Sequence, residues 1–205
     1  ATSVLVLGYH HPLEIAKRYG TLDQLSGGRL ILGVGVGSLR EEFDLLGAPW
    51  DDRGARADGA MAALRGALPT NHPVHQGDHY TYDSVVMDPC ALQYRVPIWV
   101  GGRTRRSLRR AVELGDGWMP FGLSAAEIAT MLGAVELPEA FDVALATRPL
   151  DPMGAPQQAL DELGALEEAG ATAATCVIAS RSAAHCCEQL GALADLTNLL
   201  TTESR

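Results

Sequence analysis

A glycine pair followed by an arginine and a threonine, Gly101-Gly102-Arg103-Thr104, is the group best suited to bind a ligand in this sequence. The apolar residues 97–100 before it predict a buried strand, and a helical pattern begins directly after it. Glycine lets the backbone approach a ligand without Cβ atoms in the way, and the first turn of a helix presents free N–H groups with a partial positive charge. The arrangement is typical of a phosphate site. A plain glycine turn before a solvated, arginine-rich helix would show the same residues, so the local pattern leaves both interpretations open.

A basic cluster continues from this group along the predicted helix, and it comprises Arg103, Arg105, Arg106, Arg109 and Arg110. Residues 105 and 109, and residues 106 and 110, share faces of a helix. The cluster could attract a polyanionic cofactor tail, or it could be a solvated outer face that pairs with carboxylates of a neighbouring helix. We interpret Arg103 as ligand-binding, and Arg109 and Arg110 as part of a solvated outer face that pairs with carboxylates of a neighbouring helix.

A second set of glycines lies in Gly33-Val34-Gly35-Val36-Gly37. It resembles a dinucleotide-binding fingerprint only loosely, because the third glycine comes too early and no acidic residue ends a following strand about 20 residues later. We expect instead a strand end lined with glycine, against which a flat ring can lie.

The histidines are weaker candidates. His10 and His11 follow the first predicted strand, where a (β/α) barrel keeps its active-site loops, so a proton-transfer role is one interpretation. We favour a structural role, with one histidine exposed and the other capping or packing near Pro12. His72 and its neighbours lie in an irregular segment that does not promise a convergent geometry, so we predict no metal site.

Six short apolar runs, each followed by a helical pattern, predict a parallel α/β sheet with right-handed crossovers. The first run, residues 3–7, has no polar alternation and is expected to be buried on both faces. The aspartates at 51 and 52 are expected to cap the following helix. We predict one domain over residues 1–205, with an irregular insertion at residues 69–89 that contains a small hairpin.

Composition narrows the class of protein. The 205 residues carry a net charge of −9, which argues against a nucleic-acid surface, and no apolar stretch is long enough to span a membrane. No secretory signal is visible, and the four cysteines resemble the free thiols of a cytoplasmic protein. Lys17 is the only lysine, a bias that suggests a GC-rich genome such as that of an actinobacterium.

Taken together, the motifs resemble the luciferase-like monooxygenase superfamily, and especially its deazaflavin-dependent actinobacterial branch. The combination of LSGGR, GVG, WVGGR and GDGW is specific, whereas any one of them alone is not. The matching stretches, in family order, are residues 4–12 (VLVLGYHHP), 16–29 (AKRYGTLDQLSGGR), 32–42 (LGVGVGSLREE), 43–56 (FDLLGAPWDDRGAR), 97–103 (PIWVGGR) and 108–120 (LRRAVELGDGWMP).

The resemblance implies a (β/α)8 barrel with a non-covalent FMN or coenzyme F420, which exchanges hydride with a small organic substrate. It implies that residues 4–7 carry a bulge behind the tricyclic ring, often with a cis non-proline peptide, and that the glycine pair and the residues after it hold the phosphate. Arg103 and the GC-rich codon bias favour F420 over FMN. The residues assigned to the cofactor are Val6, Leu7, Gly35, Val36, Gly37, Gly101, Gly102, Arg103 and Thr104.

Residues 4–7 correspond to the third strand of such a barrel, so the first two strand–helix units are absent from this chain. We expect the natural protein to have a further N-terminal portion; the alternative is a reduced relative that closes against another subunit. Those units normally supply acid/base candidates, and no catalytic residue is assigned.

We expect a homodimer that acts on a small molecule, without nucleic acid, membrane or metal. A non-catalytic cofactor-binding relative is the alternative function, and a phosphate-handling barrel enzyme such as a sugar-phosphate isomerase is disfavoured because the strand ends lack carboxylates and lysine.

Overall fold

The structure of the protein is a computed structural model that describes residues 1–203, with side chains as far as residue 197. The chain forms two compact units. The first comprises Ala1–Met119 and Leu137–Phe141, and the second comprises Pro120–Glu136 and the residues from Asp142 onward. No helix of the described part is long and apolar enough to cross a membrane.

The first unit alternates strands and helices. In chain order its elements are β1 (Leu5–Val6), a 3-10 turn (Leu7–Tyr9), α1 (Pro12–Ser26), β2 (Leu32–Gly35), α2 (Arg40–Leu46), α3 (Arg53–Ala67), β3 (His75–Gln76), β4 (Thr81–Tyr82), β5 (Ile98–Gly101), α4 (Arg105–Leu114) and β6 (Gly117–Met119). The second unit continues with α5 (Ala125–Leu132), β7 (Asp142–Leu150), α6 (Pro156–Glu168), β8 (Ala173–Ile178) and α7 (Ala183–Glu203).

The sheet of the first unit is parallel, in the order β1-β2-β5-β6. Val6 lies opposite Gly35, and Gly101 lies opposite Met119, so the carboxyl ends of the four strands line up at one edge. In the second unit β7 and β8 also pair in parallel. The α/β class and the six strands, each followed by a helix, are therefore confirmed. The separate hairpin of β3 and β4 lies within residues 69–89.

The expectation that residues 3–7 are buried on both faces is wrong. Only Leu5 and Val6 form a strand, both are half-buried, and Val4 is 39% exposed. In the described part of the first unit β1 pairs only with β2, so its other edge has no neighbouring strand to cover it. Leu7 belongs to the 3-10 turn and is fully buried.

Helix α3 packs against α1 and also against the 3-10 turn, α4 and β3. Its buried residues are mostly small, and they include Ala57, Ala60, Ala63 and Ala67. The predicted cap of this helix is wrong, because Asp52 makes no capping hydrogen bond. Its carboxylate instead accepts two hydrogen bonds of 2.8 Å from Arg56 Nε, one turn later.

Asp116 ties together the strand, helix and loop that surround the amino end of β5. Its carboxylate accepts a 2.8 Å hydrogen bond from the backbone N–H of Ile98 and forms ion pairs with Arg65 of α3 and with Arg95. Burial by itself would raise the pKa of Asp116, but these hydrogen bonds and charges outweigh it and hold the pKa below its ordinary value. The charged carboxylate is therefore part of the packing that fixes where β5 begins.

We expect the substitution Asp116→Asn to lower the free energy of unfolding at pH 7 by about 2 kcal/mol, because it leaves the half-buried Arg65 and the Ile98 N–H poorly satisfied. Since the folded-state pKa is depressed, this contribution is complete above the unfolded-state pKa of about 4 and is lost as the pH falls through the folded-state value. Urea unfolding of both proteins at a series of pH values measures the difference.

The matched control is Asp51→Asn, because Asp51 is an exposed aspartate without an ion pair in the described residues. Its effect should stay within about 0.5 kcal/mol. An Asp116→Asn effect that equals the control, or that persists undiminished at pH 3, would contradict the assigned role.

Candidate functional site

The glycines at the carboxyl ends of β2 and β5 face the side chain of Val4. A Cβ atom at Gly35 would lie 2.9 Å from Val4 Cγ2, and one at Gly101 would lie 3.1 Å from Val4 Cγ1. The space beside these glycines is thus taken by the protein's own valine, whose exposed part forms an apolar surface at the strand ends. The peptide bond between Ser3 and Val4 is cis, in the segment for which the resemblance implied such a bond. The resemblance included Val4 in the segment behind the ring, but of that segment only Val6 and Leu7 were assigned to the cofactor.

Gly37 lies in a second close contact, against the ring of Phe43 on α2. Its φ is +87°, and a Cβ atom there would lie 2.5 Å from Phe43 Cε2 and 2.9 Å from Val6 Cγ1. Val6 and Gly37 are therefore brought together, with Val36 half-buried between the glycines. Leu7 lies in the 3-10 turn after β1 and is only 1% exposed. The sequence signal for Phe43 is an aromatic residue that stands between two charged residues, Glu42 and Asp44, in a short helix.

The group at residues 101–104 lies where β5 passes into α4. Gly102 has a φ of +140°, and a Cβ atom there would lie 2.6 Å from Ser107 Cβ, so only glycine fits. Thr104 caps α4: its Oγ1 accepts a hydrogen bond of 3.2 Å from the Ser107 N–H, and its own N–H donates to Ser107 Oγ at 3.1 Å. Trp118 of β6 donates to the same Ser107 Oγ through Nε1 at 3.4 Å. The helix start is thereby fixed against both neighbouring strands.

Two backbone donors of this turn are left for a ligand. In the described part of the chain the N–H groups of Arg105 and Arg106 have no protein acceptor, whereas those of Thr104 and Ser107 are used by the cap. Arg103 is exposed beside them. Two free N–H groups at the positive end of a helix, next to a glycine that has no room for a side chain, fit a phosphate group.

The histidines after β1 have local partners. His11 is the N-cap of α1, and its Nδ1 accepts a 3.2 Å hydrogen bond from the Leu13 N–H, as the structural interpretation predicted. His10 Nδ1 lies 3.0 Å from Glu14 Oε2, one turn into the same helix. No cluster of three His, Cys, Asp or Glu side chains within the described residues could hold a metal ion.

A tyrosine–glutamate pair at the same edge was missed by sequence reasoning. The Tyr9 hydroxyl donates a hydrogen bond to the Glu42 carboxylate of α2, and the Tyr9 ring packs edge-on against Phe43 at 4.9 Å between centroids. Burial, together with the hydrogen bond and charge of Glu42, raises the pKa of Tyr9 to about 12. No local pattern signals this pair, because the two residues lie 33 positions apart and meet only in the fold.

Comparison with known proteins decides the family. The model of the luciferase-like monooxygenase family matches residues 1–142. The chain belongs to this family. The predicted resemblance is thus confirmed, and the match contains every residue of the candidate site.

Several luciferase-like relatives are similar in sequence. An uncharacterized protein of Mycobacterium tuberculosis is 35% identical over 133 residues, which cover 65% of this chain and 46% of the relative. The FMNH2-dependent dimethylsulfone monooxygenase of Pseudomonas putida is 30% identical over 60% of this chain and 35% of its own length. The F420-dependent glucose-6-phosphate dehydrogenase of Intrasporangium calvum is 31% identical over 58% of this chain and 37% of its own. The match spans less than half the length of each of these relatives.

The structure of the coenzyme F420-dependent tetrahydromethanopterin reductase from Methanopyrus kandleri is similar in fold. The two superpose with a TM-score of 0.71 at 16% identity, over 92% of this chain and 80% of that one. At this level of identity the likeness establishes the luciferase-like barrel type of fold alone.

We expect the Tyr9 hydroxyl to stay protonated at pH 11, where a free tyrosine with a pKa near 10 is mostly ionised. In Glu42→Gln the pKa of Tyr9 should fall, because the charge and the acceptor that stabilise the protonated phenol are gone. The pKa of Tyr9 in the unchanged protein and in Glu42→Gln is measured from the pH dependence of its ring carbon shifts in NMR spectra of tyrosine-labelled protein. The Tyr9 signals are assigned by comparison with Tyr9→Phe. Ionisation of Tyr9 at an ordinary pH in the unchanged protein would refute the pairing.

We expect Gly102→Ala to lower the free energy of unfolding by about 2 kcal/mol, since the added methyl group would collide with Ser107 and push apart β5 and the capped turn of α4. Denaturant unfolding measures the change. Gly27→Ala is the control, because Gly27 also has a positive φ, +67°, but nothing lies within 4 Å of a Cβ atom there. Equal losses in the two variants would show that backbone conformation, and not the Ser107 contact, demands glycine at 102.

Proposed function

We propose that this chain forms the cofactor-binding part of an oxidoreductase that transfers hydride between a bound deazaflavin, F420, or FMN and a small organic substrate. The observation that carries the proposal is the pair of free N–H groups at Arg105 and Arg106, held at the end of β5 beside a glycine that excludes side chains. Membership of the luciferase-like family supports the same assignment, because its relatives include FMNH2-dependent and F420-dependent enzymes by name.

The phosphate would be held by the first turn of α4. The Arg105 and Arg106 N–H groups donate to its oxygens, and the positive end of the helix favours its charge. The Thr104 hydroxyl already accepts the Ser107 N–H, so its own hydrogen is oriented outward and can donate to the same anion. Arg103 adds a positive charge at the exposed side of the turn.

The strand ends would provide the apolar part of the site. Val4 and Val6 present methyl groups beside Gly35, Gly101 and Gly37, which suits a flat ring better than a small charged substrate. When bound, the flavin or deazaflavin ring supplies the hydride chemistry. The protein would hold the phosphate of the cofactor and cover one apolar face of its ring. No residue is assigned as acid or base.

F420 is the favoured cofactor, since the exposed Arg103 and the first-turn arginines of α4 suit a ligand that carries more negative charge than one phosphate. The homodimer expected from the sequence remains part of the proposal.

A comparative titration tests the cofactor. We expect F420 to bind more tightly than FMN, with saturable quenching of cofactor fluorescence and protection against thermal unfolding by both. Riboflavin, which has the ring of FMN but no phosphate, is the control and should bind more weakly than FMN because the donors of α4 would have no partner. If neither F420 nor FMN binds, the oxidoreductase assignment fails; if FMN binds more tightly than F420, the deazaflavin preference is wrong.

A further inference from the structure

A positively charged side chain is held beside Gly37, at the end of β2 that the proposed function gives to the cofactor ring. Arg53, the first residue of α3, donates a hydrogen bond from Nε to the Gly37 carbonyl at 3.3 Å. Its Nη1 donates to the Trp50 carbonyl at 3.1 Å. Both acceptors are neutral carbonyl groups, so these hydrogen bonds hold the guanidinium in place without cancelling its charge.

Arg53 differs from the other arginines that are withdrawn from solvent. Among the described side chains four arginines are buried or half-buried, and three of them pair with an aspartate: Arg56 with Asp52, Arg65 with Asp116 and Arg110 with Asp58. The fourth, Arg53, forms no ion pair with a described residue, although Asp52 is its neighbour in the chain. A half-buried charge without an opposite charge costs stability, and a negative charge that arrives at the strand end relieves this cost.

Aromatic rings fix the position of this charge. The guanidinium carbon of Arg53 lies 3.6 Å from the centre of the Trp50 ring, in a cation–π contact. Trp50 packs edge-on against Phe43, with 5.2 Å between the ring centroids. Phe43 is fully buried and covers Gly37, whose carbonyl accepts from Arg53. The contacts thus form a closed circuit that begins and ends at Gly37, and the charge is fixed at the strand end before any ligand binds.

A fixed positive charge at this place has a consequence for the hydride chemistry of the proposed function. Hydride brings one proton and two electrons to the ring, so the ring gains one negative charge while the substrate that gives the hydride is oxidised by two electrons. A charge that is partly shielded from water and already in position stabilises this negative charge more than a solvated side chain does. Charge near the ring is one of the means by which a protein tunes such a cofactor.

We infer that Arg53 stabilises the reduced, negatively charged form of the cofactor ring and thereby biases the site towards accepting hydride. The inference rests on the proposed function and adds to it an electrostatic role at the ring end, separate from the phosphate turn of α4. Trp50 and Phe43 act through Arg53, because they determine where its charge lies.

The test compares the affinity of the purified chain for reduced and for oxidised FMN. Both are measured by calorimetric titration without oxygen, at a slightly alkaline pH where the reduced ring carries its negative charge. We expect the unchanged protein to bind reduced FMN more tightly than oxidised FMN. In Arg53→Gln the ratio of the two affinities should fall about threefold to tenfold. A purely structural role of Arg53 would weaken both forms alike and leave the ratio unchanged.

Two further variants set the controls. Arg53→Lys keeps the positive charge and should retain most of the ratio. Arg40→Gln removes an equal charge from α2, from an arginine that is 63% exposed and lies 3.7 Å from Asp44, and should leave the ratio unchanged. Circular dichroism checks that each variant is folded, and the comparison of the two forms in the unchanged protein does not depend on any variant.

The inference is overturned if the unchanged protein binds reduced FMN no more tightly than oxidised FMN. It is also overturned if Arg53→Gln changes the ratio no more than Arg40→Gln does, or if Arg53→Lys lowers it as much as Arg53→Gln, because the charge would then not be the cause. If neither form of FMN binds, the inference falls, and the titration with F420 decides separately whether the proposed function stands.

Discussion

The contact between the Ser107 side chain and the backbone of Gly102 is the constraint on which the candidate site depends. One hydroxyl accepts from the Thr104 N–H at 3.1 Å and from Trp118 Nε1 at 3.4 Å, and it donates to the Thr104 carbonyl at 2.7 Å. A serine hydroxyl has one donor and two acceptor positions, so its capacity is filled. The start of α4 and β6 meet at this oxygen, and the N–H groups of Arg105 and Arg106 in the first turn of α4 are left without a protein acceptor in the described residues.

Charge is distributed along the protein in two different ways. Where arginines support the fold they are paired, as Arg65 is with Asp116 and Arg110 with Asp58. At the start of α4, in a protein of net charge −9, Arg105 and Arg106 lie at the positive end of a helix and form no ion pair with a described residue. Local concentration of positive charge in an acidic protein serves an anionic ligand better than it serves stability. The proposed flavin or deazaflavin phosphate would account for this concentration, and membership of the luciferase-like family gives that proposal a chemical context.

The apolar part of the site follows from close packing. Val4 and Phe43 fill the space beside three glycines at the ends of β2 and β5, so the surface there is built from methyl groups and a ring edge over backbone. Tyr9, which packs on Phe43 and bonds to Glu42, holds α2 against the carboxyl end of β1. The strand ends, α2 and the start of α4 thus share one rigid edge of the first unit.

Much of this could be predicted from the sequence, because its signals are local. Alternating apolar runs and helical patterns predicted six strands in a parallel α/β arrangement, each followed by a helix, and the glycine pair before an arginine-rich helix predicted a turn from a strand into a helix. The combined motifs determined the family.

Only the tertiary structure decided the roles that depend on contacts between distant residues. Asp52 binds Arg56 instead of capping α3, since a neighbouring guanidinium competes better for its carboxylate than the helix N–H groups do. Val4 lies beside Gly35 of β2 and Gly101 of β5, a contact between three distant parts of the chain that no local pattern indicates. The identical arginines of α4 differ in what faces them: Asp58 on α3 neutralises Arg110, whereas Arg106 lies beside Gly54 of α3 and forms no ion pair with a described residue. A sequence specifies charge and periodicity residue by residue, but which carboxylate meets which arginine is fixed by the packing of helices that lie some 50 residues apart in the chain.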